Sequence, residues 1–214
     1  MAERRDPLVD ALRHVYWVGG GSGAGKSTVA RRLATRHSMA LYATDDVMAE
    51  HAARSSPADA PLLSEFVSMS MDERWVDRSP ETMLETFHWF RGEAFGLVLE
   101  DLLLLPRDRR VLVEGFRLLP ELVGPLLGVR SQAVWLLPSP GLRRIAFDSG
   151  GIGREIASKT SDPDTALANL LERDGMFTER LRSQVRHMGL AFIEVDETVT
   201  VDALTAMVSA SLGL

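Results

Sequence analysis

The chain has 214 residues, no cysteine and a formal net charge of −6. This length predicts one domain with an insertion, and the missing cysteines exclude disulfides, zinc–thiolate sites and cysteine nucleophiles. No apolar run approaches the roughly 20 residues of a membrane span, and the acidic balance argues against a nucleic-acid partner. The charged first residues lack the apolar stretch of a signal peptide, so we expect a cytoplasmic protein.

Five short apolar runs alternate with longer helical patterns, which is typical of a parallel α/β sheet. The runs lack polar alternation, as expected of strands that are covered on both faces. A helix is predicted from Lys26 to His37, between the first two strands. The predicted strands are 15–18, 40–43, 111–113, 133–137 and 191–195.

About 65 residues separate the second and third predicted strands, far more than a normal connection. We therefore predict a helical insertion over 46–105. Within it, Ser79 and Pro80 predict the start of a helix. Apolar residues then recur every three or four positions up to Leu97, which predicts one amphipathic helix.

The segment after the fourth strand contains two adjacent glycines, Gly150 and Gly151, between arginines. We expect 139–162 to form a mobile loop. A further helix is predicted to start at Asp162 and Pro163, by the same capping logic.

The first predicted strand runs into a glycine-rich segment. Gly20, four further residues and then Gly25-Lys26-Ser27 satisfy the phosphate-binding loop pattern, in its required position between a strand and a helix. Glycines let backbone N–H groups surround phosphate oxygens, and a helix N-terminus favours the same anion. We expect Lys26 to contact the β- and γ-phosphates of ATP and Ser27 to ligate Mg²⁺. The residues expected to surround the nucleotide are Gly20, Gly21, Ser22, Gly23, Ala24, Gly25, Lys26, Ser27 and Thr28.

Acidic residues follow the second and third predicted strands, whose carboxyl ends face the ligand crevice of such sheets. Glu114 ends the third strand, where it is a candidate to hold Mg²⁺ in a Walker-B-like position. Asp45 and Asp46 follow the second strand. We favour Asp45 as the group that orients or deprotonates an acceptor hydroxyl, and Asp46 as a helix cap or part of the metal shell.

Arginines concentrate after the fourth strand. Phosphoryl transfer spreads negative charge over the transferring group, and positive donors stabilise that charge. Singly these residues are ordinary surface charges, but beside a glycine-rich segment they fit a closing lid. The candidates are Arg143, Arg144, Arg154, Lys159 and Arg173, with Arg143, Arg144 and Arg173 foremost.

Arg74 and Arg91 stand among acids and aromatic residues of the insertion. They pair either with an acidic group of a substrate or with local carboxylates. Trp89 and Phe95 either line a pocket or pack in the core, and His88 is expected to be an ordinary histidine rather than a ligand.

The insertion is also the acidic part of the chain. Residues 46–101 hold 12 acidic and 4 basic side chains, a local net charge of −8. Residues 138–187 hold 7 acidic and 8 basic ones, a local net charge of +1. This split predicts an acceptor that is not strongly anionic.

Four segments together resemble the small-molecule P-loop kinases, a group that includes shikimate, gluconate, adenylate and uridine kinases. The resemblance runs in order along nearly the whole chain. The segments are Gly20 to Thr28, Thr44-Asp45-Asp46, Val113-Glu114-Gly115 and the arginine-bearing stretch 143–173.

The resemblance implies a three-layer P-loop NTPase sandwich with a five-stranded parallel sheet of order 2-3-1-4-5. It also implies a substrate-binding insertion over 46–105, a lid over 139–173 and contact between Asp45 and the substrate hydroxyl. Residues 195–198 resemble the loop on the adenine side.

These observations predict an ATP- and Mg²⁺-dependent kinase that phosphorylates a hydroxyl of a small, neutral or cationic metabolite. The Asn-Lys-x-Asp base reader of a GTPase does not occur in the sequence. Two alternatives stay open: a kinase for an antibiotic-like or macromolecular hydroxyl, and a non-enzymatic, nucleotide-dependent switch. The oligomeric state also stays open.

Overall fold

A five-stranded parallel sheet forms the centre of the chain in a computed structural model, which describes residues 6–149 and 152–214. The strand order is β2-β3-β1-β4-β5, which confirms the predicted α/β class and sheet order. The predicted strand bounds differ from the observed ones by at most two residues. The strands are β1 (Val15–Gly20), β2 (Ala40–Ala43), β3 (Val111–Glu114), β4 (Ala133–Pro138) and β5 (Phe192–Val195).

Helices cover both faces of the sheet. They are α1 (Pro7–Ala11), α2 (Lys26–Arg36), α3 (Met48–Arg54), α4 (Pro61–Ser68), α5 (Met71–Trp75), α6 (Pro80–Thr86), α7 (Phe95–Leu104), α8 (Pro120–Val123), α9 (Pro140–Asp148), α10 (Ile152–Ala157), α11 (Pro163–Met188) and α12 (Val201–Leu212). Short 3₁₀ turns occupy His88–Arg91, Gly124–Leu126 and Arg130–Gln132. None of these helices has the length and apolar character needed to cross a membrane.

The three central strands send alternate residues to two separate apolar layers. Trp17 and Trp135 pack with α7, α8 and the second half of α11, whereas Val18 and Leu136 pack with α2 and α12. Because both faces are covered, β3 and β4 are buried at every position. This burial explains why the strands read as apolar runs without polar alternation.

The predicted single helix over 80–97 is wrong. Its start is confirmed, since the Ser79 hydroxyl accepts a hydrogen bond from the backbone of Thr82 at 3.3 Å. However, α6 ends at Thr86, and Gly92 and Ala94 adopt left-handed backbone conformations that no α-helix accommodates. The apolar spacing therefore identified two buried side chains, Met83 and Phe90, but not the two breaks in the helix.

The predicted loop over 139–162 is also wrong in part, because it contains α9 and α10. The Ser139 hydroxyl caps α9 by accepting a hydrogen bond from the backbone of Leu142 at 3.0 Å. Gly150 and Gly151 lie outside the described residues. The predicted helix start at Asp162 is confirmed, since its carboxylate accepts from the backbone of Thr165 at 3.1 Å.

The insertion and the segment after β4 meet over the first half of α11. Trp75 and Met83 of the insertion pack there against Phe147 of α9 and Leu170 of α11, in a cluster separate from the two sheet layers. This arrangement places a cleft above the carboxyl ends of the strands, where open α/β sheets bind ligands.

Candidate functional site

The glycine-rich segment forms a tight turn between β1 and α2. Gly20 has a φ of +132°, and a Cβ atom there would lie 2.0 Å from the carbonyl oxygen of Leu136. Gly23 and Gly25 also have positive φ angles, of +81° and +79°. Gly25 is the N-cap of α2 and leaves the first turn without a side-chain cap. The backbone N–H groups at this helix start therefore remain available for an anion.

Lys26 is buried at the start of α2, with 9% of its surface exposed. Its Nζ donates a hydrogen bond to the carbonyl oxygen of Gly21 at 2.8 Å. Burial lowers the pKa of Lys26, and the nearby carboxylates of Asp45, Glu114 and Asp174 oppose this shift. The structure therefore brings together the lysine, the two predicted acids and a third acid that the sequence analysis did not select.

Glu114 supplies a buried carboxylate with unused bonding capacity. Its side chain is 3% exposed, and its Oε2 atom has no hydrogen-bond partner among the described residues. Burial raises the pKa of Glu114, whereas the neighbouring Ser27 hydroxyl and the Lys26 ammonium lower it.

The residues present fit a metal ion that a nucleotide helps to hold. Within 6–149 and 152–214, no three histidine or acidic side chains form a cluster that would bind a metal alone. Mg²⁺ is commonly held by one or two protein ligands together with substrate phosphates. Ser27 and the unpartnered oxygen of Glu114 provide such a partial set of ligands.

The turn after β2 holds Asp45 next to the end of β3. The backbone N–H of Thr44 donates to the carbonyl oxygen of Glu114 at 2.9 Å, and the Thr44 hydroxyl donates to Asp45 at 3.3 Å. The Asp45 side chain reaches solvent, but partial loss of hydration still raises its pKa. Lys26 and Arg117 act in the opposite direction.

Asp46 follows on the same turn and is exposed. The predicted capping role of Asp46 is wrong, because the N-cap of α3 is Val47 and no side chain bonds to the helix start. Its carboxylate raises the pKa of Asp45 through charge repulsion, which places the two acids close together.

Two of the predicted lid arginines are buried near the glycine loop. Arg173 donates from Nε and Nη2 to Asp174 at 2.9 and 2.6 Å, and its Nη1 atom has no partner among the described residues. Arg143 donates to the carbonyl oxygen of Pro138 at 3.3 Å, and its α-carbon lies close to Gly23. Burial lowers the pKa of Arg143 while Asp174 opposes the shift.

The other basic candidates of this segment are exposed. Arg154 pairs with Asp148 at 3.8 Å, and Lys159 pairs with Glu155 at 2.8 Å. Arg144 forms no hydrogen bond or ion pair with the described residues. None of these three side chains lines the cleft.

Of the two roles left open for Arg74 and Arg91, contact with a substrate group or with local groups, the structure shows the local contacts. Arg74 donates to the carbonyl oxygens of Phe66 and Val67, both at 2.8 Å, and so closes the end of α4. Arg91 is exposed and pairs with Glu85 at 3.2 Å. Neither arginine lines the cleft, and each bonds to groups close to it in the sequence.

A cleft of about 410 Å³ opens beside Ser22 and Gly23 of the glycine loop. Its charged lining consists of Arg173 and Asp174, which pair with each other. The rest of the wall is mainly aromatic, a feature that the sequence analysis missed. The aromatic rings are those of Phe66, Trp75, Phe87, Trp89, Phe90, Phe116 and Phe147.

His88 also lines this cleft and is 2% exposed. Burial, together with the charges of Arg117, Arg74 and Arg173, lowers its pKa to about 3. The imidazole is therefore neutral at physiological pH, and its Nδ1 atom has no partner among the described residues. Of the two aromatic residues left open above, Trp89 lines the cleft, whereas Phe95 belongs to the sheet core.

The acidic residues of the insertion lie elsewhere. Glu93 accepts hydrogen bonds from the first backbone N–H groups of α4, Glu85 pairs with Arg91 and Arg180, and Asp101 accepts from Tyr42 and Arg54. None of the insertion's carboxylates lines the cleft. The local charge of −8 therefore gives no information about the acceptor.

The sequence analysis also missed Arg117, which is buried and forms no ion pair with a carboxylate of residues 6–149 or 152–214. Its Nη1 atom lies 3.1 Å from Nδ1 of His51, its Nη2 atom donates to the carbonyl oxygen of Ala94 at 3.2 Å, and its guanidinium covers Trp89 at 4.0 Å. His51 in turn lies 2.8 Å from Asp101. The sequence could have indicated this residue, because Arg117 is an arginine within the apolar run 111–120.

Comparisons with known proteins add little to this description. No family model matches the chain, and no curated protein matches it. One solved structure that matches this chain in the structural comparison is an uncharacterized protein from Eubacterium ventriosum ATCC 27560. It shares 16% sequence identity over 93% of this chain and 97% of that chain, with a TM-score of 0.46.

Proposed function

We propose that this chain is an ATP- and Mg²⁺-dependent kinase of the P-loop NTPase class, which phosphorylates a hydroxyl group of a small molecule. One observation carries the proposal. A buried lysine at an uncapped helix start, behind a glycine turn, interacts electrostatically with three carboxylates, and one of them, Asp174, lines a cleft beside that turn. A phosphate-binding loop, a metal-holding acid and an acceptor-activating acid need this arrangement.

The proposed phosphoryl transfer is balanced in atoms and charge. The acceptor oxygen attacks the γ-phosphorus, a new P–O bond forms, the bond to the β,γ-bridging oxygen breaks, and ADP leaves. The hydroxyl proton passes to Asp45. When bound, Mg²⁺ supplies charge neutralisation to the β- and γ-phosphates, and Ser27 and Glu114 would hold it.

Positive charge around the transferring group comes from Lys26 and the buried arginines. Lys26 and the loop N–H groups hold the phosphates, and Arg143 and Arg173 flank the loop from the segment after β4. We also propose that Arg144 contributes positive charge to the transferring group. From these positions Arg143 and Arg173 are assigned to the stabilisation of transition-state charge.

The cleft favours a small acceptor over a macromolecular one. Its volume of about 410 Å³ falls in the range of small-ligand sites. Helices from the insertion and from the segment after β4 surround it, so an acceptor group must enter a bounded space.

The two lysines of the chain provide a matched test. We expect Lys26→Ala to abolish measurable ATP binding and to lower turnover by about 10²–10³-fold, because one preorganised cationic donor is lost. Lys159→Ala, at an exposed ion pair outside the cleft, keeps wild-type values. Calorimetry with Mg·ATP and release of ADP across a library of hydroxyl compounds measure both quantities.

Two outcomes contradict the proposal in different ways. If Lys26→Ala binds and turns over ATP like the wild type, the glycine turn is not the nucleotide site. If ATP binds at Lys26 but radiolabelled γ-phosphate reaches no acceptor in the library, the chain is a nucleotide-dependent switch rather than a kinase.

A further inference from the structure

We infer that the acceptor is an uncharged alcohol carrying an aromatic or heteroaromatic ring, which lies in the aromatic cleft. This inference rests on the proposed kinase function and names the acceptor class. It is carried by the cleft wall, the charges on that wall and two buried nitrogen atoms without partners.

The cleft wall is a continuous set of aromatic rings. The ring of Phe66 lies 5.3 Å from Trp75, 5.4 Å from Phe87 and 4.9 Å from His88, and Phe87 continues to Phe90 at 4.8 Å. All of these pairs are tilted or edge-to-face. Such a wall offers several ring edges and faces to a flat ligand ring, a geometry that aromatic pairs prefer.

A cationic acceptor does not suit this wall. The guanidinium of Arg173 already lies over the rings of Trp75, Phe87 and Phe90, at 4.8 to 5.1 Å from their centres. The protein's own cation thus occupies the positions that a ligand cation would take. The one carboxylate of the described lining, Asp174, is already bonded to the same arginine.

An anionic acceptor is also disfavoured. Removing a carboxylate from water into an apolar cleft is costly unless a full ion pair compensates. Arg173 donates two of its hydrogen bonds to Asp174 and has one buried nitrogen, Nη1, left. An uncharged acceptor avoids both the repulsion and the desolvation cost, which narrows the earlier expectation of a neutral or cationic metabolite.

Two polar atoms indicate where a ring substituent bonds. Arg173 Nη1 and His88 Nδ1 are buried without partners among the described residues, and both side chains line the cleft. One N–H of Arg173 Nη1 donates to a carbonyl or hydroxyl oxygen of the ligand and leaves the other N–H for the transferring phosphoryl group, and His88 Nδ1 offers a second polar contact to the same substituent. Ser22 and Gly23 bound the same cleft, so the reacting hydroxyl extends from the ring towards the glycine loop.

Direct binding to the full-length chain tests the ligand class. The probes are adenosine, uridine, pyridoxine and 4-hydroxybenzyl alcohol, compared with glycerol, glycerate and choline. We expect at least one ring alcohol to bind ten or more times tighter than each of the three ring-free compounds in calorimetry. We further expect that compound to accept radiolabelled γ-phosphate from ATP.

Matched aromatic variants localise the binding. Trp75→Leu removes a buried ring from the cleft wall, whereas Phe95→Leu removes a buried ring from the sheet core. We expect the first to weaken ring binding about tenfold with ATP binding unchanged, and the second to leave both unchanged. If Trp75→Leu does not fold, Phe147→Leu replaces it, since Phe147 also lines the cleft, and we expect the same tenfold loss of ring binding.

The outcomes separate this inference from the proposed function. If no ring alcohol binds tighter than glycerol, glycerate or choline, the inference is overturned, whatever Lys26→Ala does to ATP binding. If ring alcohols bind and Trp75→Leu weakens them while Lys26→Ala leaves ATP turnover intact, the ligand class stands and the kinase proposal fails.

Discussion

Asp45 has two properties that a proton acceptor near neutral pH requires. Loss of hydration raises its pKa above the usual aspartate value, so its conjugate base is more basic than an ordinary carboxylate. Lys26 and Arg117 oppose this shift through their positive charges. The Thr44 hydroxyl fixes its orientation at 3.3 Å.

We expect Asp45→Asn to lower kcat by about 10²–10⁴-fold, the range typical of general-base loss. In the wild type, activity falls as the pH drops through the raised pKa, because protonated Asp45 cannot accept the acceptor proton. That acid limb therefore lies above pH ~4, the ordinary aspartate value, and it disappears in the variant. A pH profile of kcat/KM measures this.

The neighbouring Asp46→Asn is the matched comparison for this prediction. Asp46 is exposed on the same turn, and its loss should lower kcat less than tenfold while keeping the acid limb. A larger effect at Asp46 than at Asp45 would exchange the two assignments.

At the scale of elements, Arg117 joins four parts of the site. It follows β3 and reaches the carbonyl oxygen of Thr44 after β2 at 3.5 Å, His51 in α3 and the residue before α7, Ala94. Its guanidinium also covers Trp89 of the cleft wall. Burial lowers the pKa of Arg117 to about 10, so the side chain stays charged at neutral pH.

We expect Arg117→Met to lower the free energy of unfolding by about 3 kcal/mol, since the buried acceptors it bonds lose their partner. The same variant should lower kcat, because the turn that holds Asp45 loses one of its anchors. The control is Arg109→Met, an exposed arginine between α7 and β3. Urea unfolding and steady-state kinetics measure the two effects, and an unchanged kcat would exclude a positioning role for Arg117.

The elements differ in how far local sequence determines them. β3 and β4 were predictable because burial on both faces leaves uninterrupted apolar runs. The glycine turn was predictable because its chemistry lies within nine consecutive residues. The break after Thr86 was not, because it is made by an extended Phe87, and the left-handed Ala94 further on is likewise not a conformation that its residue type prefers.

The cleft could not be predicted from local sequence, because residues from many parts of the chain form it. Its lining residues are spread along the chain from Ser22 to Asp174, with rings supplied by α4, α5, the turn around His88, the residues after β3 and α9. Single-residue arguments therefore assigned the aromatic residues to the core or left them open. Charge arguments failed for the same reason, because net charge over a segment does not say which carboxylates reach the ligand.

At the scale of the whole molecule, the chain has two packed regions that we expect to differ in stability. The strands β1, β3 and β4 are buried between two extended apolar layers. The insertion helices α3 to α6 have five to eight residues each and pack in smaller clusters. Helices that short are marginal without tertiary support, so α5 and α6 depend on their contacts with α11.

The helix α11 spans both regions and gives this difference a test. Ala166 and Leu170 in its first half pack on the insertion, whereas Phe177 and Leu181 in its second half pack on the sheet. We expect native-state hydrogen exchange to divide α11 accordingly. Amides of 163–172 should exchange with α3 to α6 at a lower opening free energy, and amides of 177–188 with the central strands. One common free energy for all of these amides would instead mean a single cooperative unit.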